Sequence, residues 1–385
     1  MKTCENHVRF SPSGIVATIF IAMYDIVLQW GLFGPAVLIA VGMAILIGGG
    51  ETLLRGASRL AVAARIPPII VGLTIVAFIT STPELAISIS AVLNETPDIA
   101  IGNVVGSNIC NIALILAIAA VLSPIAVCST LIRREIPLMI AVSVLVYVMA
   151  VFCSNMPLSS LFSGQFEGML FPWVGGLMVG LLIAYTGWTV YEVHRHKTGN
   201  EVYTRELEEG VLPDVENPNA KIGGWKNIGI NLVLIAAGLA LLILGSDLMV
   251  QGSVKIARMM GVSELLIALT IVAIGTSLPE LMISGMAALK GKSDLAVGNI
   301  IGTNIFNILG VLGIATLFSG GTDAGGLLVS ARVLYFDIPV MILMTLFCIV
   351  ICFTGRRITR GEGVFLLFCY MAYLIALCIL EGGGA

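Results

Sequence analysis

Residues 73–112 read LTIVAFITSTPELAISISAVLNETPDIAIGNVVGSNICNI, and residues 269–308 read LTIVAIGTSLPELMISGMAALKGKSDLAVGNIIGTNIFNI. The two stretches lie 196 positions apart without a gap, and 23 of their 40 positions are identical. The match extends upstream, from Glu51 to Asp247. Downstream it survives a short insertion, with REIP at 134–137 answering FDIP at 336–339. The chain around them is 58% apolar and 11% charged, with a mean hydropathy of +1.04. A soluble domain carries about 25% charged residues, so the duplicated unit belongs to a polytopic membrane protein, and several apolar runs are long enough to span.

The apolar runs predict spans at 34–54, 69–93, 99–122, 131–153, 168–191, 228–250, 264–289, 295–318, 329–354 and 363–381. A further run at 14–31 carries Asp25 and lacks a clear small-residue cleavage site, so it is read as an extra N-terminal span. Each repeat then holds five spans. Five is odd, so equivalent spans cross in opposite directions, and the two motifs face each other near the bilayer midplane, as in secondary transporters. The predicted fold is therefore an all-α polytopic membrane protein of two inverted five-helix repeats, ten core transmembrane helices, with an extra N-terminal helix. Its expected parts are an N-terminal segment, 1–33; repeat 1, 34–191; a linker, 192–227; and repeat 2, 228–385.

Charge sets the expected orientation. Counting from residue 34, connections after odd-numbered spans hold fifteen Lys and Arg residues, against three after even-numbered ones. Arginine and lysine collect on the cytoplasmic side, which places the mixed-charge linker inside and the C-terminus outside a plasma-membrane protein. At its length and composition the linker reads as a tether. The eight cysteines mostly fall in apolar segments, with no CxxC pair or Cys/His cluster, so neither zinc nor haem is expected.

Polar groups at this depth cost free energy unless they are paired or functional. Pro83 and Pro279 remove an N–H and crowd the preceding turn, so each helix should open just before them and free carbonyl oxygens. Around the first break, Thr80 and Glu84 share a face with Ser81 beside them. Thr276, Ser277 and Glu280 repeat the arrangement. In the following span Asn103, Ser107 and Asn111 form one stripe, answered by Asn299, Thr303 and Asn307. Gly102/Gly106 and Gly298/Gly302 form GxxxG pairs suited to close packing. Two carboxylates with hydroxyl, amide and carbonyl oxygens make a hard donor set, suited to calcium or sodium and poorly suited to zinc or copper. Two ionised glutamates in a low-dielectric site repel strongly, so the site should hold cations or protons almost always. Calcium or several sodium ions can neutralise the pair, but not together. Such exclusion predicts an antiporter.

The stretches TSTPELAIS, GNVVGSNICNI, GTSLPELMIS and GNIIGTNIFNI resemble the two alpha-repeats of the sodium/calcium exchangers, over the whole ten-span core and most closely in the prokaryotic type. The resemblance implies sodium/calcium exchange by alternating access, with the first spans of each repeat sliding past a fixed core. It implies ion ligands at Glu84 and Glu280, hydroxyl ligands at Thr80, Ser81, Thr276, Ser277, Ser107 and Thr303, and carbonyl ligands at Ala77 and Ala273. Asn111 and Asn307 match positions that are often Asn in one repeat and Asp in the other; with Asn at both, the site holds at most two formal charges, which weighs against potassium co-transport. Gly106 and Gly302 stand where the proton-coupled branch usually carries a glutamate, favouring sodium. Ile79 departs from the family's glycine, kept as Gly275, and a β-branched residue restricts the backbone there.

No enzyme activity and no cofactor is expected. The expected partners are calcium, sodium and the lipid bilayer, with no nucleic acid, and the expected unit is a monomer. A proton-coupled calcium or other divalent-cation exchanger is the nearest alternative. An intramembrane hydrolase is disfavoured because YD and GxGD signatures are lacking, and a channel because the repeat is inverted within one chain. Asp98 and Asp294 read as helix N-terminal residues, Glu51 and Asp247 as solvated or interhelical pairs, and Glu135 and Asp337 as surface residues at span entrances.

Overall fold

The structure is a computed structural model that describes residues 31, 33–64, 70, 72–154, 156, 166–195, 225–261, 273–321 and 325–382. Among the described residues, helical elements occupy each of the ten predicted core spans, the seventh being described only from Ala273. They are α1 (Phe33–Ala64), the broken pair α2a (Leu73–Thr80) and α2b (Thr82–Leu93), α3 (Pro97–Leu122), α4 (Leu131–Phe152) and α5 (Pro172–Arg195). The second set is α6 (Trp225–Met259), the short pair α7a (Ala273–Thr276) and α7b (Leu278–Leu289), α8 (Ser293–Gly321), α9 (Val333–Gly355) and α10 (Arg360–Gly382). The protein is thus a helical, multi-pass membrane protein. Lipid offers no partner for a bare backbone N–H, which leaves helices as the spanning element for these apolar runs. The expected N-terminal span at 14–31 and most of the linker lie outside the described residues.

The first helix of each repeat is longer than its apolar run. α1 has 32 residues and α6 has 35, about 48 and 52 Å at 1.5 Å per residue. Both exceed a hydrocarbon core of about 30 Å, so they tilt or project beyond it. The two pack antiparallel on a glycine seam. A Cβ on Gly42 would stand 2.7 Å from the Gly245 carbonyl oxygen, and one on Gly245 would stand 2.8 Å from that of Gly42. Contact of this kind brings backbones together without a hydrophobic driving force, which lipid does not supply.

α3 and α8 are the most enclosed helices, while α5, α6 and α10 turn much of their surface outward. On α10 the exposed side chains Phe365, Phe368, Met371, Ile375 and Ile379 are all apolar, as contact with acyl chains requires. Among the described residues, four short strands, unannounced by the apolar pattern, stitch the repeats together. β1 (Ile125–Ala126) pairs antiparallel with β4 (Arg357–Ile358), and β2 (Gly168–Leu170) with β3 (Leu327–Val329). Each sheet takes one strand from each repeat, so the two halves are intertwined rather than side by side. Likewise α2a packs on α8 and α7b on α3. A Cβ on Gly302 would lie 2.7 Å from Leu73 Cα, so Gly302 serves a close crossing. A Cβ on Gly102 or Gly106 would meet nothing within 4 Å, so the first GxxxG pair does not serve one.

Candidate ion-binding site

Pro83 and Pro279 each stand in the first turn of α2b and α7b, where a missing N–H costs nothing. The residue before each half-helix leaves helical geometry in the same way: Ser81 has φ −77° and ψ 2°, Ser277 φ −94° and ψ 6°. Across Ser81 the axis of α2 bends by 48°, so Ile79 does not prevent the break. In the second repeat Gly275 is held tightly. A Cβ there would overlap Val250 of α6, and the Ser246 hydroxyl of α6 donates to the Gly275 carbonyl. The counterparts of Ser246 and Gly275 are Gly50 and Ile79, so this tie exists in one repeat only. At the first break the carbonyl of Ala77, one of the expected ligands, is already engaged. The Ala77 carbonyl accepts the Ser81 N–H at 3.1 Å and the Thr80 hydroxyl at 3.3 Å. It could face an ion only after Thr80 turns away.

The breaks aim the acids inward. Glu84 and Glu280, in the first turns of α2b and α7b, are 1% and 0% exposed and interact electrostatically with one another. Thr80, Ser81, Ser107, Asn111, Ser277, Thr303 and Asn307 are all buried with them. The Thr80 hydroxyl lies 3.5 Å from that of Thr303, bringing the break of one repeat to the polar stripe of the other. It also lies near the Glu280 carboxylate, outside hydrogen-bond geometry. Ala77 is buried, and Ala273 begins α7a. The side chain of Thr276 is outside the described residues.

Among the described residues, nine buried side-chain polar atoms lack a hydrogen-bond partner, and every one is an oxygen. Seven come from six members of the predicted set: Ser81, Glu84, Asn111, Ser277, Asn307 and both oxygens of Glu280. A buried acceptor without a donor is costly. A concentration of such oxygens from both repeats, three of them on carboxylates, suits a cation.

Four residues that the sequence reading did not single out organise this set. Asn103 Nδ2 donates to the Glu84 carbonyl at 3.0 Å and to Ser88 Oγ at 2.9 Å, and Asn299 Nδ2 donates to Ser284 Oγ at 3.0 Å. Each bond fastens a polar-stripe helix to the half-helix carrying its repeat's glutamate. Between repeats, Asn111 Nδ2 donates to Asn304 Oδ1 at 2.8 Å and Asn307 Nδ2 to Asn108 Oδ1 at 3.2 Å. Ser88/Ser284 and Asn108/Asn304 are identical polar pairs at the 196-residue offset, a signal present in the sequence. In α3 and α8 the helix widens to π geometry over Asn111–Leu116 and Asn307–Leu312, a distortion frequent at functional sites.

The other repeated acids stand apart. Asp98 and Asp294 occupy first turns, where the helix dipole favours them. Glu51 pairs with Arg55 at 3.0 Å and with Lys290, tying α1 to the end of α7b. Asp247 accepts from Gln251 at 2.5 Å. Glu135 and Asp337 are buried rather than at the surface: Glu135 accepts from Tyr185 Oη at 2.6 Å and pairs with Arg134 at 3.1 Å, and Asp337 accepts from Tyr373 Oη at 3.0 Å and pairs with Arg332 at 3.4 Å. Tyrosines on α5 and α10 supply the partners that draw these acids inside.

Against known proteins, the pattern of the family described as "Sodium/calcium exchanger protein" matches residues 34–191 and 230–379. CaxA of Alkalimonas amylolytica is 40% identical over 339 residues, covering 88% of this chain and 96% of its own. The sodium/calcium exchanger MaX1 of Methanosarcina acetivorans is 34% identical over 351 residues, covering 88% and 97%. Among solved structures, that of the sodium-calcium exchanger NCX_Mj superposes with a TM-score of 0.67 at 28% identity, covering 89% of this chain and 98% of that one.

Proposed function

The chain belongs to the sodium/calcium exchanger family, and from that premise we propose that it exchanges sodium ions for calcium across the membrane by alternating access. The concentration of partnerless oxygens around Glu84 and Glu280 carries this reading. Calcium takes roughly six to eight oxygen ligands. The donors assigned here are Glu84, Glu280, the hydroxyls of Thr80, Ser81, Ser107, Thr276, Ser277 and Thr303, the amide oxygens of Asn111 and Asn307, and the carbonyls of Ala77 and Ala273. One calcium or two sodium ions balance the two carboxylates, and a third sodium would leave one net positive charge. The same oxygens cannot serve both at once, and a doubly charged empty site resists reorientation, so transport in one direction requires return with the other ion.

In this reading the basic connections and the linker between residues 192 and 227 face the cytoplasm, the C-terminus faces outward, and repeats 34–191 and 228–385 move about a site within one monomer of the plasma membrane. α1 and α6, joined on their glycine seam, slide as a pair past the remaining helices.

Calcium-45 uptake into proteoliposomes loaded with sodium, with potassium, or with a pH gradient tests the proposal. Uptake driven by the outward sodium gradient alone is expected. Uptake driven only by the pH gradient would overturn sodium coupling in favour of proton exchange.

A further inference from the structure

We propose that Asn108 and Asn304 are positioning residues that hold the amide oxygens of Asn111 and Asn307 toward the transported ion; this rests on the reading of those two amides as ligands. An asparagine side chain presents an acceptor on one side and a two-proton donor on the other, and its terminal torsion is roughly two-fold. A ligand amide turned the wrong way offers a cation its NH2 group. Something must choose the orientation.

Here the choice is made across the repeat boundary. Asn304 Oδ1 takes the Nδ2 proton of Asn111 at 2.8 Å, and Asn108 Oδ1 takes that of Asn307 at 3.2 Å. The acceptors cannot turn over in their own right. Asn304 Nδ2 donates to the Asn108 carbonyl and Asn108 Nδ2 to the Asn304 carbonyl, each at 3.3 Å. Rotating Asn304 would set its NH2 against that of Asn111 and its Oδ1 against a carbonyl oxygen, so both contacts would become repulsive. The backbone therefore fixes Asn108 and Asn304, and they in turn fix Asn111 and Asn307. With their NH2 groups engaged, Asn111 Oδ1 and Asn307 Oδ1 remain buried without a protein donor. Each ligand amide is oriented by the opposite repeat, so both halves of the chain are needed to complete either one.

Orientation matters only for an amide. A carboxylate presents oxygen on both sides, so Asn111→Asp removes the need for Asn304. The test is a double-mutant cycle on the full chain, reading calcium-dependent thermal stabilisation in detergent and the KM for calcium in proteoliposomes. Asn304→Leu alone is expected to weaken calcium about 10–100-fold, the usual effect of removing a ligand's supporting partner, with kcat changed less. In the Asn111→Asp background a carboxylate oxygen would instead meet Asn304 Oδ1, so the same leucine should cost no affinity there or restore some, a coupling that the cycle reads directly. Equal losses in both backgrounds would overturn the proposal and leave the four asparagines as packing. The mirror cycle, Asn108→Leu with Asn307→Asp, decides the matter should Asn304→Leu fail to elute as a monodisperse protein. Absence of any calcium response in the native chain would instead sink the exchange reading itself.

Discussion

The Thr80 hydroxyl stands 3.5 Å from the Thr303 hydroxyl, although 223 residues separate them. One belongs to the broken helix of the first repeat and the other to the polar stripe of the second. Two hydroxyls this close, with Thr80 also facing Glu280, can both turn oxygen lone pairs to a single ion. Thr80 then works beside the glutamate of the partner repeat.

Thr80→Val and Thr303→Val keep shape and remove one oxygen each. Loss of a polar contact to a charged partner amounts to about 1.5–3 kcal/mol, so each should raise the KM for calcium by about tenfold or more. Initial-rate calcium uptake over a range of calcium concentrations measures this. An unchanged KM would remove that hydroxyl from the ligand set.

The repeat, the ten core spans and the break were legible because each depends on local chemistry: apolar run length, a proline four residues past a polar turn, and matching letters at a fixed offset. What escaped depends on contacts between distant segments. The roles of Asn108 and Asn304 depend on α3 and α8 meeting across the repeat boundary, which no local pattern encodes. The burial of Glu135 was hidden because its partner, Tyr185, sits 50 residues away on α5. The helical ends at Ala64 and Met259 passed the apolar runs because polar residues continue a helix readily once it leaves lipid.

Gly275 is fixed by Val250 rather than by backbone conformation. Gly275→Ala should destabilise the protein by about 1–3 kcal/mol through overpacking, read as a lower melting temperature. Adding Val250→Ala should recover most of that loss. Failure of the second substitution to rescue would point to a need for glycine in the break itself.

Tyr185→Phe and Tyr373→Phe each strip one donor from a buried carboxylate, on Glu135 and Asp337 respectively. Leaving a buried acceptor short of a partner costs about 1–3 kcal/mol. Both variants should unfold at lower temperature while keeping the native KM for calcium, because neither acid is part of the ion site. A large KM change with unaltered stability would assign these pairs to transport.

The glutamate pair makes opposite demands on stability and on transport. Three carboxylate oxygens of the buried Glu84 and Glu280 have no protein hydrogen-bond partner, an arrangement that costs stability until a cation or proton neutralises it. Glu84→Gln and Glu280→Gln should therefore abolish sodium-driven calcium uptake and yet raise the melting temperature in chelator-treated, sodium-free buffer. The native protein should gain stability with calcium, by about 2.7 kcal/mol at a concentration one hundred times its Kd. The variants should gain almost nothing. Melting curves with and without calcium read both effects, and a variant that is less stable than the native chain without ions would show that the carboxylates support the fold rather than strain it.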